Sequence, residues 1–183
     1  PVLFLHGIAS DSSTWDYITP LLSESVRSIT IDLLGFGKSP KPKRNKYATQ
    51  DHVAAIVKTI SSLGIKGPVV IVGHSMGGLL AIEIAKKYPE LVSELFLIST
   101  PLYKQEDIIN TTSKYSTSKQ SIYNGLFIVY ERIVTNEKMT LKTAQAAMKL
   151  LPMNSGFSLA PNTWLPFKNS LSNTIMRQTS MSD

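Results

Sequence analysis

The stretch IVGHSMGGLL, residues 71–80, decides how the rest of the chain is read. Apolar β-formers lead into Gly73. Helix-formers follow Gly77 and Gly78, and Ser75 stands between. This order suits a strand that turns sharply into a helix and displays one hydroxyl at the bend. The pattern G-x-S-x-G is weak by itself, because glycine and serine are common. The strand before it and the helix after it make it specific. In such a bend Ser75 takes a strained backbone, while Gly73 and Gly77 keep strand and helix from colliding. The first helical amides and the positive dipole end then face any oxyanion formed beside the hydroxyl.

Outward from this bend, strand and helix patterns alternate. VLFLH (2–6) is a short apolar run that ends in Gly7 and reads as a buried parallel strand. In DSSTWDYITPLL (11–22), Trp15, Ile18, Leu21 and Leu22 fall at helical spacing, with Asp11 or Ser12 as cap. Strand patterns recur at 26–32, 68–74 and 91–99. A helix capped by Thr49 carries the stripe Val53, Ile56, Val57, Ile60 and Leu63 and ends at Gly64. A further helix covers 76–88 and stops at Pro89. Residues 1–100 therefore predict an α/β core: a parallel sheet with helices on both faces and ligands gathering at the carboxyl ends of the strands. His6, Asp32 and Ser75 all lie at such ends.

After Thr100 the strand pattern vanishes. A polar stretch is followed by helical stripes at 122–134 and 140–151, and by a last helix carrying Trp164, Phe167, Leu171 and Ile175. Residues 101–183 are thus expected to form a helical cap on the 1–100 core. The cap aromatics Tyr123, Phe127, Tyr130, Phe157, Trp164 and Phe167 either line an apolar pocket or form the cap's own interior.

Composition bounds the partners. The chain has 183 residues, 43% hydrophobic and 17% charged, which fits a globular domain with a sizeable core. It has no cysteine, so disulfides and thiolate chemistry are excluded. Net charge is +6, spread along the chain except for KSPKPKRNK at 38–46. That run lacks interleaved aromatics and reads as a solvated loop, so neither nucleic acid nor membrane is an expected partner. There is no signal-peptide pattern and no apolar run of membrane-spanning length, and a cytoplasmic location is expected. Neither sequence end carries a helix cap or closing strand, and the chain is expected to be a piece of a longer protein.

Near the bend, the Ile8 and Met76 amides are candidates for a pair of oxyanion donors. Their side chains matter little because main-chain groups would act. His6 reads as a buried imidazole bracing the first loop. His74 is expected to turn away from Ser75 into the sheet packing, and His52 to sit at the solvated start of its helix. DLLGFGKS (32–39) resembles a phosphate loop only weakly and suits tight turns, with Asp32 bonding the backbone of its own loop.

PVLFLHG followed by a tryptophan, IDLLGFGKS and VGHSMGG, in this order and spacing, resemble the α/β-hydrolase superfamily. The branch is that of serine esterases, haloperoxidase-like enzymes and carbon–carbon bond hydrolases. The resemblance covers residues 1–100 strongly and the cap loosely. It implies a partial α/β-hydrolase core with Ser75 as nucleophile, oxyanion amides from Ile8 and Met76, and Gly7, Gly73 and Gly77 shaping the turn. A small ester-like substrate is implied, with no metal and no organic cofactor. Serine at the elbow is unlike the aspartate of epoxide hydrolases and haloalkane dehalogenases.

One part of the family pattern is missing. The triad runs Ser, acid, His in chain order. The three histidines here are His6, His52 and His74, and none follows Ser75. Glu106 and Asp107, just past the fourth strand, are the nearest candidates for the acid. A serine without a base is a poor nucleophile. The expectation is a serine hydrolase whose triad is incomplete in these 183 residues, or a scaffold turned to binding.

Overall fold

The computed structural model describes residues 1–102, 136, 140–143, 146 and 161–176. The expected helical stripe at 122–134, most of that at 140–151, and Tyr123, Phe127, Tyr130 and Phe157 lie outside them, as do Glu106 and Asp107.

Four strands form one sheet: β1 (Val2–Leu5), β2 (Ser28–Ile31), β3 (Val69–His74) and β4 (Val92–Ile98). The spatial order is β2-β1-β3-β4, and every neighbouring pair is parallel. Two α-helices fill the crossovers, α1 (Thr49–Ser62) and α2 (Met76–Lys87). β1 leads left to β2, whereas β3 leads right to β4. The crevice between β1 and β3 is therefore the point where the winding reverses, the usual ligand position in such sheets.

Period-two alternation sorts the side chains. Leu3, Leu5, Val69 and Ile71 join Val53, Ile56 and Ile60 of α1 and Leu80, Ala81 and Ile84 of α2 in one buried cluster. Phe4 points the other way and meets the Trp15 ring at 5.1 Å. α1 stops where Gly64 takes φ +68, a conformation glycine adopts without strain.

Two local expectations change. The residues at 11–22 do not form a helix with an inward stripe. They form two short 3-10 turns, Ser12–Trp15 and Thr19–Leu21. Trp15 alone is buried, while Ile18 is 43% and Leu21 83% exposed. Asp11 caps the first turn by accepting from Ser13 N–H at 2.9 Å. Pro20 lacks an N–H donor and cannot continue a helix begun there. At α1 the cap is Ala48 rather than Thr49, which is already helical and buried. The Asp51 carboxylate makes the returning half of a capping box, accepting from Ala48 N–H at 3.0 Å.

The last expected helix is present as α3 (Trp164–Ser170), prolonged by the wider turn Leu171–Met176. Phe167, Leu171 and Ile175 are buried and join the same cluster as β1, β3, α1 and α2. Polar contacts complete the docking. Asn173 Nδ2 donates to Lys46 O at 2.7 Å, and Thr174 Oγ1 donates to Tyr47 O at 3.1 Å. Phe167 therefore packs in the main core, with Trp164 stacked on it at 5.9 Å.

Candidate active site

Ser75 lies between the last residue of β3 and the first of α2, with φ +52 and ψ −117. A non-glycine residue rarely holds this conformation, and it persists only where surroundings enforce it. Three close approaches enforce it here. A side chain on Gly77 would run into the Leu5 carbonyl and reach 2.8 Å from His6 O. One on Gly73 would come 2.6 Å from Gly77 O. One on Gly7 would come 3.0 Å from His74 Nδ1 and 3.2 Å from Ser75 Cβ. The start of α2 thus rests directly on the end of β1. Ser75 N–H also donates to Ile98 O at 2.9 Å, which ties the bend to β4.

Ser75 is half-buried, and its hydroxyl caps nothing. Its carbonyl accepts from Gly78 N–H at 3.0 Å, so the helix begins behind the hydroxyl. Ile8 and Met76 are buried, and neither amide donates to a turn, loop or cap acceptor among the described residues. The first amides of any helix lack partners inside it. An acyl oxygen held at the rim between β1 and α2 would meet amides of this kind.

The histidines differ in role. His6 is fully buried and works as a brace. Its Nε2 accepts from Leu33 N–H at 2.9 Å, so Nδ1 carries the proton and donates to Gly7 O at 2.7 Å. Burial lowers its pKa, partly offset by the Gly7 carbonyl and by Asp32. His74 is half-buried with its ring against Gly7, and burial lowers its pKa too. His52 corrects the expectation of a solvated site. It is fully buried, and its Nε2 pairs with Ser170 Oγ at 3.0 Å across the α1–α3 seam. Burial pushes its pKa down to about 4, against a smaller opposing pull from Asp51. No described histidine is bonded to Ser75.

Asp32 does bond its own loop, and more. It accepts from Lys38 N–H at 2.6 Å and also from Ser12 N–H at 2.8 Å, in the segment after β1. Burial works against its charge, but these donors outweigh it and hold the carboxyl below its ordinary pKa. A side chain on Gly37, φ +47, would collide with that carboxylate. Gly37 therefore makes room for the Asp32 clamp, as tight-turn chemistry suggested, whereas Gly35 lies against Pro166 and Tyr47. Thr100, just beyond β4, is a residue the sequence did not mark. Its hydroxyl is buried without a partner among the described residues, against Gly78.

Among the described residues no group of three His, Asp or Glu side chains is placed to hold a metal ion, and no helix is long and apolar enough to cross a membrane.

The family described as alpha/beta hydrolase fold matches residues 1–180. Over 108 residues the chain is 38% identical to "Probable lysophospholipase BODYGUARD 2" of Arabidopsis thaliana, covering 56% of this chain and 23% of that protein. A meta-cleavage product hydrolase from Pseudomonas fluorescens superposes with TM-score 0.56 at 26% identity, covering 92% of this chain and 60% of that one. A loop variant of a haloalkane dehalogenase from Bradyrhizobium elkanii superposes with TM-score 0.67 at 20% identity, covering 94% and 61%.

Proposed function

The chain belongs to the α/β-hydrolase fold family, and on that premise we propose that Ser75 is the nucleophile of a serine hydrolase acting on an ester or related carbonyl. The observation that carries this reading is the strained Ser75 backbone at the β1/β3 crevice, locked by Gly77 against Leu5. In the proposed reaction a base takes the Ser75 Oγ proton as the oxygen adds to the carbonyl carbon. The Ile8 and Met76 N–H groups hold the resulting oxyanion. The carbonyl re-forms as the alcohol leaves with that proton. Water then releases the acyl group from Ser75 by the reverse sequence.

The base is assigned outside these 183 residues. His6 spends both ring nitrogens on the backbone, His52 is committed to Ser170, His74 sets its ring against Gly7 with no bond to Ser75 among the described residues, and no histidine follows Ser75 in the chain. Negligible turnover is expected from the 183 residues alone. The relative called a probable lysophospholipase supports an acyl ester as substrate, and the proposed substrate is a small ester-like molecule. No metal or organic cofactor enters the proposed chemistry, and the location is taken to be cytoplasmic.

The test uses the product of the full-length gene. Short p-nitrophenyl esters should be hydrolysed, and Ser75→Ala should lower kcat on the scale of ~10⁶, the loss seen when a triad serine is removed. Ester turnover unchanged by Ser75→Ala would refute the assignment. A second reading, carbon–carbon bond cleavage on the same scaffold, draws on the similarity to the meta-cleavage product hydrolase. Turnover of a meta-cleavage product with inert simple esters would favour it. Binding of esters without any turnover would favour a non-catalytic module.

A further inference from the structure

We infer that residues 12–22 and 38–46 together form a docking surface for an anionic phospholipid membrane, with the loop cations meeting headgroups and Tyr17 and Leu21 entering the interface. The proposal is independent of catalysis at Ser75.

Three observations carry it. The first is position. One carboxylate, Asp32 at the carboxyl end of β2, accepts from Ser12 N–H and Lys38 N–H. Both segments therefore start from the same point, at the end of the sheet that carries Ser75.

The second is the apolar side. Trp15 is buried on Phe4 and pins the turn. Ile18 N–H donates to Trp15 O at 2.9 Å and Leu21 N–H to Ile18 O at 3.0 Å. The backbone is fixed, and it holds Tyr17 at 89% and Leu21 at 83% exposure, with Ile18 beside them. Sequence spacing alone would turn Ile18 and Leu21 inward; the structure turns them out. Single exposed apolar residues are ordinary, but a tyrosine and two aliphatics presented together suit the boundary between headgroups and acyl chains.

The third is charge. Residues 38–46 carry five basic side chains and no acidic one, and Asp16 is the single acidic residue in the two segments. Lys41 turns its ammonium onto Gly37 O and Ser39 O. Lys38, Lys43, Arg44 and Lys46 are exposed, with no side-chain partner among the described residues. Near an anionic leaflet each such cation is worth roughly fivefold in partitioning. By sequence alone the run suits a solvated loop; in the structure exposed apolar residues start from the same clamp. A nucleic acid would use the cations but gain little from exposed aliphatics.

The experiment sediments the full-length gene product with phosphatidylcholine vesicles, with and without phosphatidylserine. Binding should require phosphatidylserine and should fade as salt rises. Lys43→Ala with Arg44→Ala should cut partitioning by about 25-fold. Tyr17→Ser with Leu21→Ser should also weaken binding and leave the thermal melt unchanged. Absence of binding to phosphatidylserine vesicles at low salt overturns the proposal. So does binding indifferent to Tyr17→Ser and Leu21→Ser but displaced by heparin, which marks a general polyanion site. Self-association abolished by those two substitutions, without vesicle binding, overturns it in favour of a protein partner.

Discussion

Two joins leave the same end of the sheet, one after β1 and one after β3, and they are held by different means. The β3 join is fixed by backbone touching backbone: Gly77 on the Leu5 carbonyl, Gly73 on the Gly77 carbonyl. The β1 join is fixed by side chains: Trp15 on Phe4, the Asp32 clamp, and His6 between Leu33 N–H and Gly7 O. A join made of main-chain contact leaves a strict sequence signature, because only glycine fits. A join made of side chains leaves a looser one, because many residues can cap, stack or clamp.

The largest expected effect tests the β1 join. Trp15→Ala should cost about 3–5 kcal/mol, measured by urea denaturation, since a buried indole leaves a cavity its neighbours fill poorly. A cost no larger than that of an exposed residue would break the contrast. Gly77→Ala tests the β3 join and should cost about 3 kcal/mol, because the added methyl meets a carbonyl that cannot rotate away.

Acid tests a third contact, the α1–α3 seam, together with the His6 brace of the β1 join. The folded chain keeps His52 neutral, with a pKa pushed down to about 4 from the usual 6.5. The unfolded chain therefore binds more protons between those values, and stability must fall as pH drops through that window. At 1.36 kcal/mol per unit the loss is on the order of 3 kcal/mol at pH 4 relative to pH 7. His6, also lowered by burial, acts in the same direction. His52→Gln should flatten much of the slope in chemical melts taken from pH 7 to pH 4; an unchanged slope would mean that His52 does not carry it. The Gly73 and Gly77 contacts of the β3 join contain nothing to titrate; His74 beside them, also lowered by burial, adds to the slope in the same direction.

Gly64→Ala is the milder control for Gly77. Nothing lies within 4 Å of the added methyl, so only the φ of +68 is penalised, by about 1 kcal/mol. Leu21→Ala should change stability by about 0.5 kcal/mol or less, because that side chain already stands in water. A larger loss would mean that residues 19–22 pack on something in solution.

The same contrast explains what could be read from sequence. All four strands and both crossover helices were legible, because apolar runs of β-formers and a 3.6-residue stripe report directly on burial. The bend at Ser75 was legible because its glycines admit no substitute. Residues 11–22 misled because apolar residues recur at helical spacing there by coincidence, while Pro20 breaks the helix. His52 misled because its partner, Ser170, is 118 residues away. A signal was nevertheless present: Thr49, His52, Val53, Ile56 and Ile60 follow one helical stripe, and all five are buried. A histidine inside a buried stripe is better read as part of the seam than as surface.

Gly77 lying on Leu5 has a last consequence. No side chain stands between Gly77 and the Leu5 carbonyl, so nothing there can be trimmed or lengthened to retune the spacing of α2 from the end of β1. On the proposed function, differences in substrate choice would then arise in whatever closes over Ser75, while the seat of α2 on β1 stays a fixed casting.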